Sequence, residues 1–128
     1  MKTVYFVRHG ESESNISDFW IDDNIGLTKK GIGQAKYIAL RCEKLLIDII
    51  ISSTLQRAKE TSKLIKDKIN KPLEYSNLFA ERKWPSGQLG LRKDEPKSDQ
   101  IKKMMWDNFS LSKFRYSDEE NFSDLKKE

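Results

Sequence analysis

Two short polar clusters in this chain carry side chains able to act on phosphorus. The first is Arg8-His9-Gly10-Glu11-Ser12, with Asn15 close behind, and it comes after the apolar run Thr3-Val4-Tyr5-Phe6-Val7. The second is Ser52-Ser53-Thr54-Leu55-Gln56-Arg57, directly after the apolar stretch 47–51. Arg8 and Arg57 offer planar guanidinium forks suited to phosphate oxygens. His9 can attack phosphorus through a neutral ring nitrogen. Gly10 leaves room for a phosphoryl group to approach the backbone, and a nearby helix N-terminus would add N–H donors. A lone histidine after a strand is ordinarily a surface or satisfied polar residue, and Arg-His-Gly is a common tripeptide. The chemical reading therefore rests on both clusters occurring together, each at a strand end.

The elements that must position these clusters alternate along the chain. Thr3–Val7 is β-rich and almost continuously apolar, which predicts a buried strand. Thr28 stands as a cap before Ile32, Ala35, Ala39, Cys42 and Leu46, whose spacing of three and four predicts an amphipathic helix. Cys42 lies on that stripe and reads as a core residue rather than a reactive thiol. The stretch 47–51 predicts a second buried strand. Ala58, Ser62, Ile65 and Ile69 mark one face of a second helix, which Asn70-Lys71-Pro72 stops, and residues 73–76 form a short third strand. Helical crossovers between apolar strands imply a parallel sheet covered by helices, an α/β fold in three α/β/α layers. Ligands of such sheets bind beyond the carboxyl ends of the strands, where both clusters fall. Arg57, in the first turn of its helix, can face back across those ends.

After Glu81 the pattern weakens. Pro85-Ser86-Gly87 and Gly90 punctuate a loop. Residues 97–109 predict a helix with Ile101, Met104, Met105 and Phe109 on its apolar side, and Ser117-Asp118-Glu119-Glu120 reads as a capping box opening a helix with Phe122 and Leu125.

Composition narrows the function classes. The chain has 128 residues, about one domain, with a net charge of +4 and only 37% apolar residues, yet it keeps three Trp, six Phe and four Tyr, which sets it apart from disordered chains. No apolar run reaches membrane-spanning length and no signal-peptide pattern is present, so the expected compartment is the cytoplasm. One cysteine and one histidine argue against a disulfide framework and most metal sites, and no cofactor is expected. The stretch 82–103 holds seven Lys/Arg against three acids, an excess equal to the whole chain's net charge. It reads as a solvated insertion over 82–116. An electrostatic collar for an anionic substrate is the functional alternative; the regular basic and aromatic interleaving of a nucleic-acid surface is missing.

Together the blocks resemble the histidine phosphatase superfamily, which includes the phosphoglycerate mutase-like enzymes. Val7-Arg8-His9-Gly10-Glu11-Ser12 with Asn15 matches its signature. Leu27-Thr28-x-x-Gly31-x-x-Gln34-Ala35, then Ser52-Ser53-x-Leu55-x-Arg57-Ala58-x-x-Thr61, then Leu78-Phe79-Ala80-Glu81-Arg82 resemble its later blocks in order and spacing. The resemblance implies a metal-independent phosphatase acting on a small phosphorylated metabolite. His9 would be phosphorylated in the intermediate. Arg8 and Arg57 would bind the phosphoryl group. Glu81 would give a proton to the leaving oxygen and then act as base for water. Asn15 and Thr28 would line the substrate side.

The match breaks in two places. The family places a second histidine after a later strand, and this sequence has only His9. Residues 120–127 resemble the helix just before that strand, so the fold is expected to lack its C-terminal part. Truncation is favoured over an inactive short relative, because the other site positions are intact. The stretch after Glu81 also lacks the extended substrate loops of the mutases, which favours hydrolysis. Mutase-type phosphoryl transfer and a non-catalytic phospholigand-binding module are the alternatives. A sheet left without a strand would expose an edge and invite self-association. The whole chain, 1–128, is read as one domain.

Overall fold

The computed structural model describes residues 1–22, 24–81, 83–111 and 113. In order they form α1 (Glu13–Ile16), α2 (Lys29–Cys42), β1 (Ile50–Ser52), α3 (Gln56–Ile69), β2 (Leu73–Tyr75) and α4 (Pro96–Asp107), with 3-10 turns at Asn77–Phe79 and Ser86–Gln88. The α/β class and the parallel strand order are as expected: β1 pairs with β2 in parallel, Ile50 opposite Leu73 and Ser52 opposite Tyr75.

The helices start where their caps dictate. Thr28 Oγ1 accepts from the Gly31 N–H at the head of α2. Ala35, Ala39 and Cys42 are buried along the expected stripe. α2 ends at Cys42, so Leu46, expected on that stripe, lies beyond the helix and is exposed. α3 stops at Asn70, whose φ of 53° places it in the left-handed region used by helix C-caps. Ala39, Cys42 and Ile65 make the core, with Ile38, Ile47, Ile50 and Ile69 packed around it. Burial raises the Cys42 thiol's pKa, as suits a core residue.

The second strand is displaced from the expected 47–51 to 50–52 because its partner sets the start. Pro72 has no N–H to donate, so the ladder opens with the Ile50 N–H bonded to the Pro72 carbonyl and closes with the Ser76 N–H bonded to the Ser52 carbonyl. These bonds turn Ile50 and Ser52 toward β2. By the alternation of a parallel ladder, the N–H and C=O of Ile51 point to the opposite edge.

The largest departure is at the N-terminus. The buried strand expected at Thr3–Val7 is absent among the described residues: the segment belongs to no ladder, and Phe6 is 92% exposed. Thr3–Val7 and the stretch 47–53 instead line one cavity of about 560 Å³, which Ile65 of α3 also borders. An extended apolar run becomes a strand only when a neighbouring backbone takes up its N–H and C=O groups, and none within the described residues does.

α4 begins at Pro96, a favoured first helical residue. It buries Ile101 and Met105 but leaves Met104 and Phe109 exposed, correcting the expected apolar side. Phe109 stacks on Trp106, with centroids 5.4 Å apart. The capping box expected at 117–120 and its helix lie outside the described residues. No helix among the described residues is long and apolar enough to cross a membrane.

Candidate functional site: a histidine between an arginine and a carboxylate

His9 is held in place through its C-terminal neighbours, Gly10 and Glu11. A Cβ at Gly10 or at Gly31 would collide with backbone from the other segment, so the pair of glycines lets the loop after His9 press onto the first turn of α2. The Gly10 N–H donates to Thr61 Oγ1 of α3 (3.1 Å), and the Glu11 N–H donates to Gln34 Oε1 of α2 (2.9 Å). His9 Nδ1 stands 2.7 Å from the Gly10 carbonyl. A carbonyl only accepts, so Nδ1 carries the proton of the neutral ring and Nε2 carries the lone pair.

Arg57, the second residue of α3, is 4% exposed and reaches back across the strand end. Its Nε donates to His9 Nε2 at 3.2 Å, and its Nη2 donates to Glu81 Oε2 at 3.1 Å. Glu81 comes after β2 and the Asn77–Phe79 turn, and its Oε1 lies 3.5 Å from His9 Nε2. Its carboxyl pKa is drawn down to about 2, first by the His9 ring and then by the Arg57 charge, against a contrary push from partial burial. The ring contact is a hydrogen bond only for the imidazolium, because the neutral ring already donates its one proton to Gly10. Arg57 therefore acts on the carboxylate at every protonation state of His9.

The structure brings His9, Arg57 and Glu81 into contact, and Arg8, exposed, lines the same cavity. Asn15 and Thr28 are engaged elsewhere. Asn15 Oδ1 accepts from the Ser12 N–H and hydroxyl (2.9 and 3.0 Å), forming the cap of α1. Thr28 is buried, caps α2 and donates to Glu11 Oε1 at 3.0 Å. The basic stretch after Glu81 folds back on the segment after His9. Lys93 Nζ donates to the Ser14 carbonyl (2.7 Å), Lys93 and Lys102 lie over the Trp20 ring, and Trp20 Nε1 donates to Ser98 Oγ (2.7 Å). Sequence reasoning assigned no role to Thr61, Gln34 or Glu60. Glu60 holds the loop before α2 by accepting from the Leu27 N–H (2.7 Å). The available signal was Thr61 standing one helical turn after Arg57.

The fold and the site define an α/β protein in which a buried arginine from the helix after β1 joins a histidine to a carboxylate from the segment after β2. The chain belongs to the histidine phosphatase superfamily (branch 1), whose profile matches residues 4–127. It is 35% identical over 104 residues to a 2,3-bisphosphoglycerate-dependent phosphoglycerate mutase of a Bradyrhizobium species, covering 76% of this chain and 49% of that protein. It is 38% identical over 73 residues to a mutase of the same description from Thermoplasma acidophilum, covering 56% and 36%. An adenosylcobalamin/alpha-ribazole phosphatase of Salmonella typhimurium matches at 36% over 63 residues, covering 48% and 31%. The chain thus spans half or less of the length of these relatives. Among solved structures, the alpha-ribazole phosphatase of Shigella flexneri shares the fold at a TM-score of 0.73 and 21% identity, over 94% of this chain and 60% of that one. A mycobacterial glucosyl-3-phosphoglycerate phosphatase, solved with VO3, shares it at 0.72 and 19%, over 91% and 56%.

Proposed function

We propose that the chain carries the nucleophilic half of a phosphoryl-transfer site, working through a phosphohistidine at His9 with net hydrolysis of a small phosphomonoester. The observation that carries this reading is the lone pair of His9 Nε2, held 3.2 Å from the buried Arg57 guanidinium by the Nδ1 bond to Gly10. In the first step Nε2 bonds to phosphorus, the bond from phosphorus to the ester oxygen breaks, and that oxygen takes a proton from Glu81. In the second step water attacks phosphorus, Glu81 takes its proton, and the P–N electron pair returns to the ring. Arg57 and Arg8 neutralise the phosphoryl charge in both steps, so no metal is required.

Glu81 is a carboxylate in the ligand-free site, which leaves the origin of its proton to be explained. An arriving phosphate competes for Arg57 and places negative charge beside Glu81. Both effects raise the carboxyl's proton affinity, so the acid forms as substrate binds. Asn15 and Thr28 act in this scheme by shaping the loop through their caps.

The test is incubation of the chain with an aryl phosphate, with a chelator present, and rapid quenching. Acid-labile, base-stable phosphate on the wild-type chain and none on His9→Ala is the expected result. Equal labelling of the two, or labelling abolished by the chelator, refutes the scheme. The mutase relatives support a second reading, transfer of the phosphoryl group to a phosphoglycerate instead of water; adding that acceptor to the labelled chain separates the two.

A further inference from the structure

We propose that Thr61 and Gln34 set the tautomer of His9 by fixing the two peptide planes that flank Gly10. Neutral imidazole holds one proton, and the contacts around this ring favour different tautomers. Glu81 Oε1, at 3.5 Å, favours a proton on Nε2, which would block that nitrogen as a nucleophile. The Gly10 carbonyl at Nδ1 and the Arg57 Nε–H at Nε2 favour the opposite arrangement. The outcome depends on where the Gly10 carbonyl points, and glycine alone does not restrict it.

Two side chains remove that freedom. The Gly10 N–H, in the plane shared with His9, is bound by Thr61 Oγ1. The Gly10 C=O shares its plane with the Glu11 N–H, which is bound by Gln34 Oε1. Thr61 has one hydroxyl proton and donates it to the Arg57 carbonyl at 2.8 Å, so an oxygen lone pair is left for Gly10. The bonds close a circuit: Arg57 Nε to His9, His9 Nδ1 to Gly10, Gly10 N–H to Thr61, Thr61 back to Arg57. Both nitrogens of the ring are thereby referenced to a single turn of α3. Thr61 and Gln34 are positioning residues, since neither reaches the reacting nitrogen.

His9 is the sole histidine, so a long-range ¹H–¹⁵N correlation spectrum of the chain contains a single imidazole. For the wild-type neutral ring the expected result is a protonated Nδ1 and an unprotonated Nε2. Thr61→Val and Gln34→Met should each move the ring toward the Nε2–H form, and Thr61→Ser should restore it. Gln34 is exposed, so its replacement leaves the core intact and carries the test alone if Thr61→Val does not fold. A wild-type ring protonated on Nε2 overturns the proposal. So does a folded variant whose ring keeps Nδ1–H unchanged. The kinetic arm rests on the phosphohistidine reading: kcat should fall about 10- to 100-fold, as for the partners that orient metal-binding histidines, with KM little changed because Arg8 and Arg57 remain. Absence of wild-type turnover would count against that reading only, since the spectrum decides the tautomer without it.

Discussion

Replacing Arg57 with methionine keeps a long buried stem and removes the guanidinium, which isolates what the charge does. In the native site that group bonds His9 Nε2 at 3.2 Å and Glu81 Oε2 at 3.1 Å, and it is almost wholly shielded from water. A phosphoryl group arriving at Nε2 would meet the same fork. Losing one preorganised donor of this kind costs about 2–4 kcal/mol of transition-state stabilisation, or about 30- to 900-fold in kcat/KM. The same change acts on Glu81. Its carboxyl, held at about 2, should titrate closer to the ordinary 4.5, because burial then works with fewer opposing charges. Arg57→Lys should recover only part of either effect, since a single ammonium cannot present two separate donors to the ring and the carboxylate. Two measurements check this: steady-state hydrolysis of an aryl phosphate, and a carboxyl titration of the two chains by ¹³C NMR. An Arg57→Met chain that keeps kcat/KM within about threefold of wild type, or a Glu81 titration that does not move, would refute the reasoning.

Three further outcomes are expected. Ile65→Ala opens a cavity against Ala39 and Cys42 and should cost about 2–5 kcal/mol in urea unfolding, where a loss well under that range would remove Ile65 from the core. Gly31→Ala should destabilise the chain by about 1–3 kcal/mol by driving a methyl into Glu11, read as a lowered melting temperature, while Gly33→Ala, with open space around its Cβ position, should not. The Glu81 carboxyl is depressed on folding, so its stabilisation is present above its unfolded value near 4.5 and fades as pH falls toward about 2. Because the side chain is 63% exposed, the contribution is about 1 kcal/mol or less, and the gap in urea midpoint between wild type and Glu81→Gln should close on acidification from pH 5 to pH 2.5.

Local chemistry made much of this legible in the sequence. Thr28 was readable as a cap because its hydroxyl needs only the N–H of Gly31, three residues on. The apolar stripes of α2 and α3 obey the helical repeat, and Arg57 could be placed facing the strand ends because helix side chains lean toward the N-terminus and it stands in the first turn. Features that depend on distant partners were not readable. Thr3–Val7 has a strand's composition, but strand status is conferred by a neighbouring backbone. The start of β1 was set by Pro72, twenty-two residues downstream of Ile50. The Gly10–Thr61 bond spans fifty-one residues and uses a hydroxyl that, read locally, is merely a helix residue bonding its own preceding turn. Asn15 was given a substrate-side place by the resemblance alone, and the bonds its Oδ1 accepts from the Ser12 N–H and hydroxyl were not read from the sequence.

The unladdered run before His9 has a mechanical consequence. Among the described residues, 1–8 make no hydrogen bond, whereas Gly10 and Glu11 are each tied to a different helix. Among the described residues, backbone hydrogen bonds restrain His9 from its C-terminal side alone, while its ring is held by Arg57. The boundary between slack and taut backbone falls within the tripeptide Arg8-His9-Gly10, so Arg8 and Arg57 have unequal positional tolerance. Arg57 is fixed to a helix, while Arg8 hangs from the slack side. In hydrogen exchange that asymmetry should show as a step: amides of 3–8 exchanging at close to intrinsic rates, and protection beginning abruptly at Gly10.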